Sequence, residues 1–381
     1  MRGKKVVDNY FDGARESILD IMGENKYMSN IKYKICIVAD VLGWAFDHIA
    51  QKINKELSDK YDIRIEYFNR RTEKEYFYEF IEKNDDCDLI HFLNRRTLLL
   101  FQTESFKEKV EQSGRNVNEY IKQKHKKFST AVNDHIDLTP EGIQSLKSIY
   151  NEYTKMYYTS SKKLFDIYNS INEFSKPSTM IHDVCDEEIF KPSNVKRFEE
   201  DEIKDRPVVI GWVGNSVHSG QKEIDLKGFH TIIKPVMQDL KHEGYNIKEH
   251  YADRNLIWRN TKQMQEYYSE IDVCLCVSIH EGTPLPVLEA MYCGVPIIST
   301  DVGIVSEAFG IKQSKFIIGD REDGKNDIDV KKLLKEKIIE LYNNRKMFKE
   351  LSEENLASIL EFDGGKTIKK FEEFFDKCLE Q

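Results

Sequence analysis

Two glutamates eight residues apart, Glu281 and Glu289, lie in the segment richest in chemical possibility, IHEGTPLPVLEAMYCGVPIISTDVGIVSEAFG (279–310). The preceding run DVCLCVS (272–278) is continuously apolar, as a buried strand is, and the chain leaves it at His280-Glu281-Gly282. Pro284 and Pro286 suit a first helical turn, so a helix is expected to begin near Pro286. It should stop at Gly294, with Pro296 beyond and the strand VPIIST (295–300) following. Glu281 and Gly282 are thereby predicted in a loop at a strand's carboxyl end, with Glu289 in the early turns of the next helix. Ligands of open α/β sheets bind in that crevice. Free amides at the helix start would attract a phosphate, and Gly282 would let the backbone approach a ligand closely. The helix dipole favours an early acid in any case, so Glu289 alone also suits a structural role. Nothing local needs an acid at 281.

The elements that must position this loop are legible as alternation. Strand candidates in the first half are 33–39, 62–68, 88–93, 127–132, 155–160 and 179–182, with helical patterns at 44–60, 72–83 and 160–170. In the second half the strands are 207–213, 246–252, 272–278, 295–300 and 315–318, with helices near 228–243, 261–270 and 286–293. Apolar strands separated by helices are parallel βαβ units with both sheet faces covered. The pattern runs twice, which predicts an α/β protein of two doubly wound, Rossmann-like domains. We place these at 1–190 and 207–340, joined by a polar, proline-framed linker at 191–206 and followed by amphipathic helices at 341–381.

Composition bounds the function. The 381 residues are 40% hydrophobic and 11% aromatic, enough for sizeable cores. No apolar stretch reaches the roughly 18 residues of a membrane span, and the N-terminus lacks a secretory h-region. The formal net charge of -9 argues against a nucleic-acid binder. The acidity is uneven: residues 1–180 carry 29 basic and 28 acidic side chains, residues 181–381 carry 28 and 38. Seven scattered cysteines without a Cys-x-x-Cys pair read as reduced and buried. A cytoplasmic chain is expected.

Glu281-Gly282-Thr283-Pro284, Glu289-Ala290-Met291, Gly294-Val295-Pro296 and Ser299-Thr300-Asp301-Val302-Gly303 resemble the signature of retaining GT-B glycosyltransferases of family 4, the glycosyl transferases group 1. That signature is a Glu-x7-Glu pair followed by a Thr-x-x-Gly turn. The resemblance implies a GT-B fold and transfer of a sugar from a nucleotide-diphosphate donor to an acceptor hydroxyl, in cell-envelope or surface glycan assembly. It implies that Glu289 accepts hydrogen bonds from the ribose hydroxyls and that Glu281 lies beside the donor sugar. Backbone amides of Thr283, Leu285 and Val287, with Gly282, would meet sugar and phosphate. The family's Lys-Gly element falls on Lys227-Gly228, which makes Lys227 the leading diphosphate contact. Where relatives have an Arg after the strand's glycine, Gly214 is followed by Asn215; His218, Lys222 and Arg254 are candidates for the second cation. Gly43, in Asp40-Val41-Leu42-Gly43-Trp44, resembles the glycine loop that faces the donor, or makes a simple strand-to-helix turn. A histidine near the sugar's primary hydroxyl falls on His135, with His182 the rival.

No cofactor or metal is expected. Asp327-Ile328-Asp329 spells the Asp-x-Asp of metal-dependent GT-A transferases, but it opens a charged helix and reads as capping. The expected partners are a nucleotide-sugar donor and a glycan, lipid-linked or protein acceptor, without nucleic acid. The run KQKHKK (122–127) and Arg70, Arg71, Arg95 and Arg96 are either solvated charge or a hold on an anionic acceptor or on the inner membrane face through the first domain. The rival functions are a non-catalytic GT-B sugar-nucleotide binder and an epimerase or phosphorylase on the same architecture.

Overall fold

Alternating apolar strands and amphipathic helices build two parallel sheets, in a computed structural model that describes residues 32–217, 225–321 and 324–380. The first holds β1 (Lys34–Ala39), β2 (Asp62–Tyr67), β3 (Leu89–Phe92), β4 (Phe128–Val132), β5 (Met156–Thr159) and β6 (Thr179–Met180), in the order β2-β1-β3-β4-β5-β6. The second holds β7 (Val208–Gly214), β8 (Ile247–Asp253), β9 (Val273–Cys276) and β10 (Ile297–Ser299), in the order β10-β9-β7-β8. Every pairing is parallel. Cores cover both faces of each sheet, which is why inner strands such as β1, β3 and β9 read as apolar runs, whereas the edge strands β2 and β8 alternate with charged residues.

Strand order fixes where ligands can go. The order of strand addition reverses between β1 and β3 in the first sheet and between β7 and β9 in the second, and a crevice opens where adjacent loops diverge. The loop carrying Gly43 follows β1; Lys227 follows β7 and Glu281 follows β9. The predicted donor residues therefore flank the second sheet's switch point.

Three expectations meet a different local structure. The segment expected as a strand at 315–318 instead forms part of a 3₁₀ turn, Gln313–Phe316, and only Ile317 bridges to Ser299. Its apolar character comes from Phe316 and Ile318, which are buried in the second core all the same. Within the polar 191–206 segment, Val195–Phe198 and Glu200–Ile203 form short helical turns that bury Phe198 and Ile203 in the second core. Asp327 opens the helix Asp327–Asn343, but the residue before the helix is Asn326 and no side chain caps it. Asp327 pairs instead with the buried Arg321 through two 2.8 Å contacts.

The end of the chain returns to the first domain. Helices Asp327–Asn343 and Lys346–Ser358 pack in the second core through Leu334, Ile338, Phe348 and Leu351. Asp363 then caps the helix Gly364–Leu379 by accepting from the Lys366 amide at 3.0 Å. That helix buries Phe371, Phe374 and Phe375 in the core that holds Ile35, Ile37 and Tyr158 of the first sheet. All seven cysteines are free and buried. Among the described residues no helix is long and apolar enough to cross a membrane.

Candidate active site

Lys227 and Glu281 meet. The Asp225 carboxylate accepts from the amides of Phe229, His230 and Thr231, so it closes the start of the helical segment after β7 and fixes the chain just before it. Arg321 clamps the same stretch to the end of β9, donating to Asp225 O at 2.8 Å and Val277 O at 3.2 Å. Gly228 sits between them at φ +67°, where a Cβ would lie 2.6 Å from Val277 Cγ2 and 2.8 Å from its carbonyl oxygen. Only glycine fits that approach, and it delivers Lys227 to the carboxyl end of β9. There the Lys227 ammonium donates to the Glu281 carboxylate. Their side chains are 27% and 17% exposed, so the pair is shielded yet reachable. Burial would lower the Lys227 pKa, but the charge and hydrogen bond of Glu281 outweigh it and the ammonium is held above its usual range.

The loop bearing Glu281 is gripped by the other domain. Thr283 Oγ1 donates to Ser160 O at 2.9 Å and accepts from the Asp183 amide at 3.0 Å. A Cβ on Gly282 would stand 2.1 Å from Ser160 Oγ and 2.6 Å from Asn133 O, so this glycine serves the seam between domains. Asp183 is buried there; burial first, and the Glu281 charge second, push its carboxyl up to about 7. His280 Nδ1 and His135 Nε2 are 2.8 Å apart across the same seam, with the rings edge to face. His135 follows β4, beside Asp134, whose carboxylate binds Arg95 at 2.6 Å and Arg96 through two 3.0 Å contacts.

Glu289 lies in the helix Leu285–Tyr292, which starts and stops close to where the prolines and Gly294 placed it. Tyr268 Oη donates to its carboxylate at 2.7 Å. Burial raises the Glu289 carboxyl to about 7, against the lowering effect of that hydrogen bond. Leu285 is the first helical residue, while the Val287 amide is taken by Pro284 O at 2.8 Å. Of the three loop amides expected to serve a ligand, Val287 is thus already bonded within the turn.

The remaining candidates gather elsewhere on the seam. Arg254 donates its amide to Gly214 O at 2.8 Å and its guanidinium to Gly43 O at 3.1 Å, and stacks over Trp44 at 4.6 Å. It thus ties the β1 loop to the second domain. Asn215 Oδ1 accepts from the Val217 amide at 3.0 Å and shapes its own turn. His182 contacts Glu307 Oε2 at 3.2 Å, apart from the His135–His280 pair. His218 and Lys222 lie outside the described residues. No group of three or more His, Cys, Asp or Glu among the described residues is arranged to hold a metal ion.

Sequence reasoning missed Asp183, Tyr268 and Arg321. Tyr268 could have been found as an aromatic hydroxyl ending a helix just before β9. Asp183 directly follows His182 and carries no spacing signal of its own. Arg321 carries no motif; only the fold brings it under Val277.

A cavity of about 460 Å³ lies at the amino ends of β7 to β9, around Arg206, Lys248 and Asp272. It is at the opposite end of the sheet from Glu281, and its floor is the 2.6–2.7 Å Arg206–Asp272 ion pair. Acid, cation and helix start converge instead at the switch-point crevice.

The two facing Rossmann-like domains, with the last helix returned to the first, have the GT-B architecture. A sequence model of the family described as Glycosyl transferases group 1 matches residues 243–355, which include Glu281 and Glu289. No curated protein matches the sequence. Among solved structures, HepE of Anabaena in complex with UDP-glucose is 14% identical, with a TM-score of 0.59 over 90% of this chain and 99% of that one. Sucrose-phosphate synthase from Thermosynechococcus elongatus is 12% identical, with a TM-score of 0.57 over 91% and 99% of the two chains. A glycosyltransferase from Rickettsia africae is 13% identical, with a TM-score of 0.55 over 92% and 99%.

Proposed function

We propose that this protein is a retaining glycosyltransferase that moves a sugar from a nucleotide-diphosphate donor to an acceptor hydroxyl in cell-envelope or surface glycan assembly. The observation that carries the reading is the Lys227–Glu281 pair at the second switch point, with Glu289 eight residues on. In this reading Glu289 accepts from the ribose hydroxyls. Lys227 exchanges part of its bond to Glu281 for the diphosphate and holds the charge that grows as the leaving group departs. Glu281, released in part, takes the donor sugar's hydroxyls, and the amides of Thr283 and Leu285 face sugar and phosphate. His135 stands at the far end of the sugar, held by His280.

None of these residues is assigned the job of a base opposite the leaving group, which inversion would need. The departing phosphate can itself take the acceptor proton on the face it leaves, which gives retention. The charge on the leaving group is met by Lys227 and backbone amides, so the proposed chemistry calls on no metal. The likeness to a UDP-glucose-bound structure makes UDP-glucose the first donor to try. Incubation with a panel of α-linked donors and acceptors, with NMR of the first-formed product, tests the reading. An α-glycoside formed without added metal is expected. A β-glycoside would overturn retention; an epimerised nucleotide sugar or a sugar 1-phosphate would overturn transfer.

A further inference from the structure

The basic residues of the first domain fall at two opposite ends of its sheet. The 122–127 run precedes β4, at the amino edge, and two of its four lysines are spent on the protein: Lys124 pairs with Glu82 at 3.3 Å and Asp85 at 2.6 Å, and Lys127 with Asp85 at 3.2 Å. Arg70 and Arg71 follow β2, and Arg95 and Arg96 follow β3, at the carboxyl edge that faces the second domain. That edge is continuous with the candidate site. His280 touches His135, Asp134 beside it binds Arg95 and Arg96, and Arg70 lies in the field of both arginines.

The charges there do not balance. Asp134 is shared by Arg95 and Arg96, and Asp137 contacts Arg96 at 3.2 Å. On the loop after β2, Glu73 accepts from the Asn69 amide at 2.6 Å. Arg71 is exposed, with its amide bonded to Asn69 Oδ1 at 3.0 Å. Arg70 is half-buried, and among the described residues its guanidinium makes no hydrogen bond or ion pair. A planar fork of five donors, partly withdrawn from water and set among three like charges, is suited to receive a bidentate anion. Burial, then Arg96 and Arg71, depress its pKa, as a site that lacks its counter-charge should behave.

We propose that Arg70, backed by Arg96, forms a subsite for a phosphate or carboxylate carried by the acceptor, on the first domain beside His135. The inference rests on the glycosyltransferase reading only in naming the anion's bearer the acceptor. The donor's diphosphate is assigned to Lys227 on the other domain, so the two anion sites are separable by experiment.

The test uses the full-length protein saturated with UDP and titrates inorganic phosphate, glucuronate and neutral methyl glucoside by calorimetry. Phosphate or glucuronate is expected to bind, and Arg70→Gln to weaken that binding about 10- to 100-fold, the range for a lost charge-assisted bond. Arg70→Lys should restore part of it, Arg71→Gln should change it little, and UDP affinity should be unchanged in all three. Preference between the two anions tells a phosphorylated acceptor from a uronic acid. Equal anion affinity in wild type and Arg70→Gln, or no anion binding by the wild type, overturns the inference. Failure of UDP to bind the wild type overturns the donor-site reading instead, and the anion titrations are then read without UDP.

Discussion

The two domains share a topology and meet at one crevice, yet they build their edges of it differently. The second domain assembles most of its edge from close neighbours in sequence: Glu281, Gly282, Thr283, Leu285 and Glu289 span a single loop and helix start, joined by Lys227 after β7 and Arg254 after β8. The first domain assembles its edge from the ends of separate strands, with Gly43 after β1, Arg70 after β2, Arg95 and Arg96 after β3 and His135 after β4. One edge is a motif and the other a composite. The motif is suited to a constant part of the ligand and the composite to a variable one, because each composite member can change without disturbing the next.

The sharpest way to break this comparison is Glu281→Ala. If the acid acts at the reacting sugar, turnover should fall by about 10²–10³, the scale of losing one preorganised charge-stabilising group, while UDP affinity falls little. Steady-state kinetics beside calorimetry checks it. An equal loss in both would make Glu281 a scaffold for Lys227. Next comes Glu289→Gln, which keeps the shape and removes the charge. It should weaken binding of both nucleoside and nucleoside diphosphate by about 1.5–3 kcal/mol, whereas Lys227→Ala should spare the free nucleoside.

Gly282→Ala sharpens the seam rather than the chemistry. Its Cβ would collide with Ser160 Oγ and the Asn133 carbonyl, so the domains must part locally. The expected cost is about 1–3 kcal/mol in a denaturant melt, as for overpacking. Unchanged stability would place the closed seam in doubt. The smallest expected effect is on pH. The Asp183 pKa is raised to about 7 in the folded protein, from an unfolded value near 3.8. The folded state therefore holds the proton more tightly between those values, and stability falls as pH rises from about 4 to 7. Glu289, also near 7, adds to the same slope. Asp183→Asn should flatten part of that slope, by about 2 °C or more in the melting temperature between pH 5 and 8.

The contrast between the edges also explains what could be read beforehand. Ten of the expected strands appear within one or two residues of their predicted ends, because an inner strand covered on both faces announces itself as an apolar run. The segment 315–318 carries the same signal and fails, since burial alone does not say whether Phe316 sits in a ladder or a turn. The short helical turns at 195–203 were hidden for the opposite reason: two buried residues, Phe198 and Ile203, are too few to raise a pattern among charges. The places of Glu281 and Gly282 after β9, and of Glu289 in the helix that follows, were legible through spacing. Their settings were not: that Lys227 would pair with Glu281, that Tyr268 would donate to Glu289, and that the Asp183 amide would donate to Thr283 are contacts between residues about 20 to 100 positions apart. Asp327 shows the same limit, a helix-start acid whose partner proved to be a buried arginine rather than the helix.

The return of the last helix to the first domain has a mechanical consequence. The chain crosses between domains twice, and the crossings touch, with the Gly364 amide donating to Glu187 Oε2 at 2.8 Å and Tyr292 Oη donating to Phe362 O at 3.1 Å. Two tethers joined at one edge act as a door hung on a single jamb. A swing about that edge would have to break every contact away from it: Thr283 on Ser160 and Asp183, His280 on His135, and Arg254 on Gly43 and Trp44. Only with those contacts released together would the crevice open while the edge at Glu187 stayed shut.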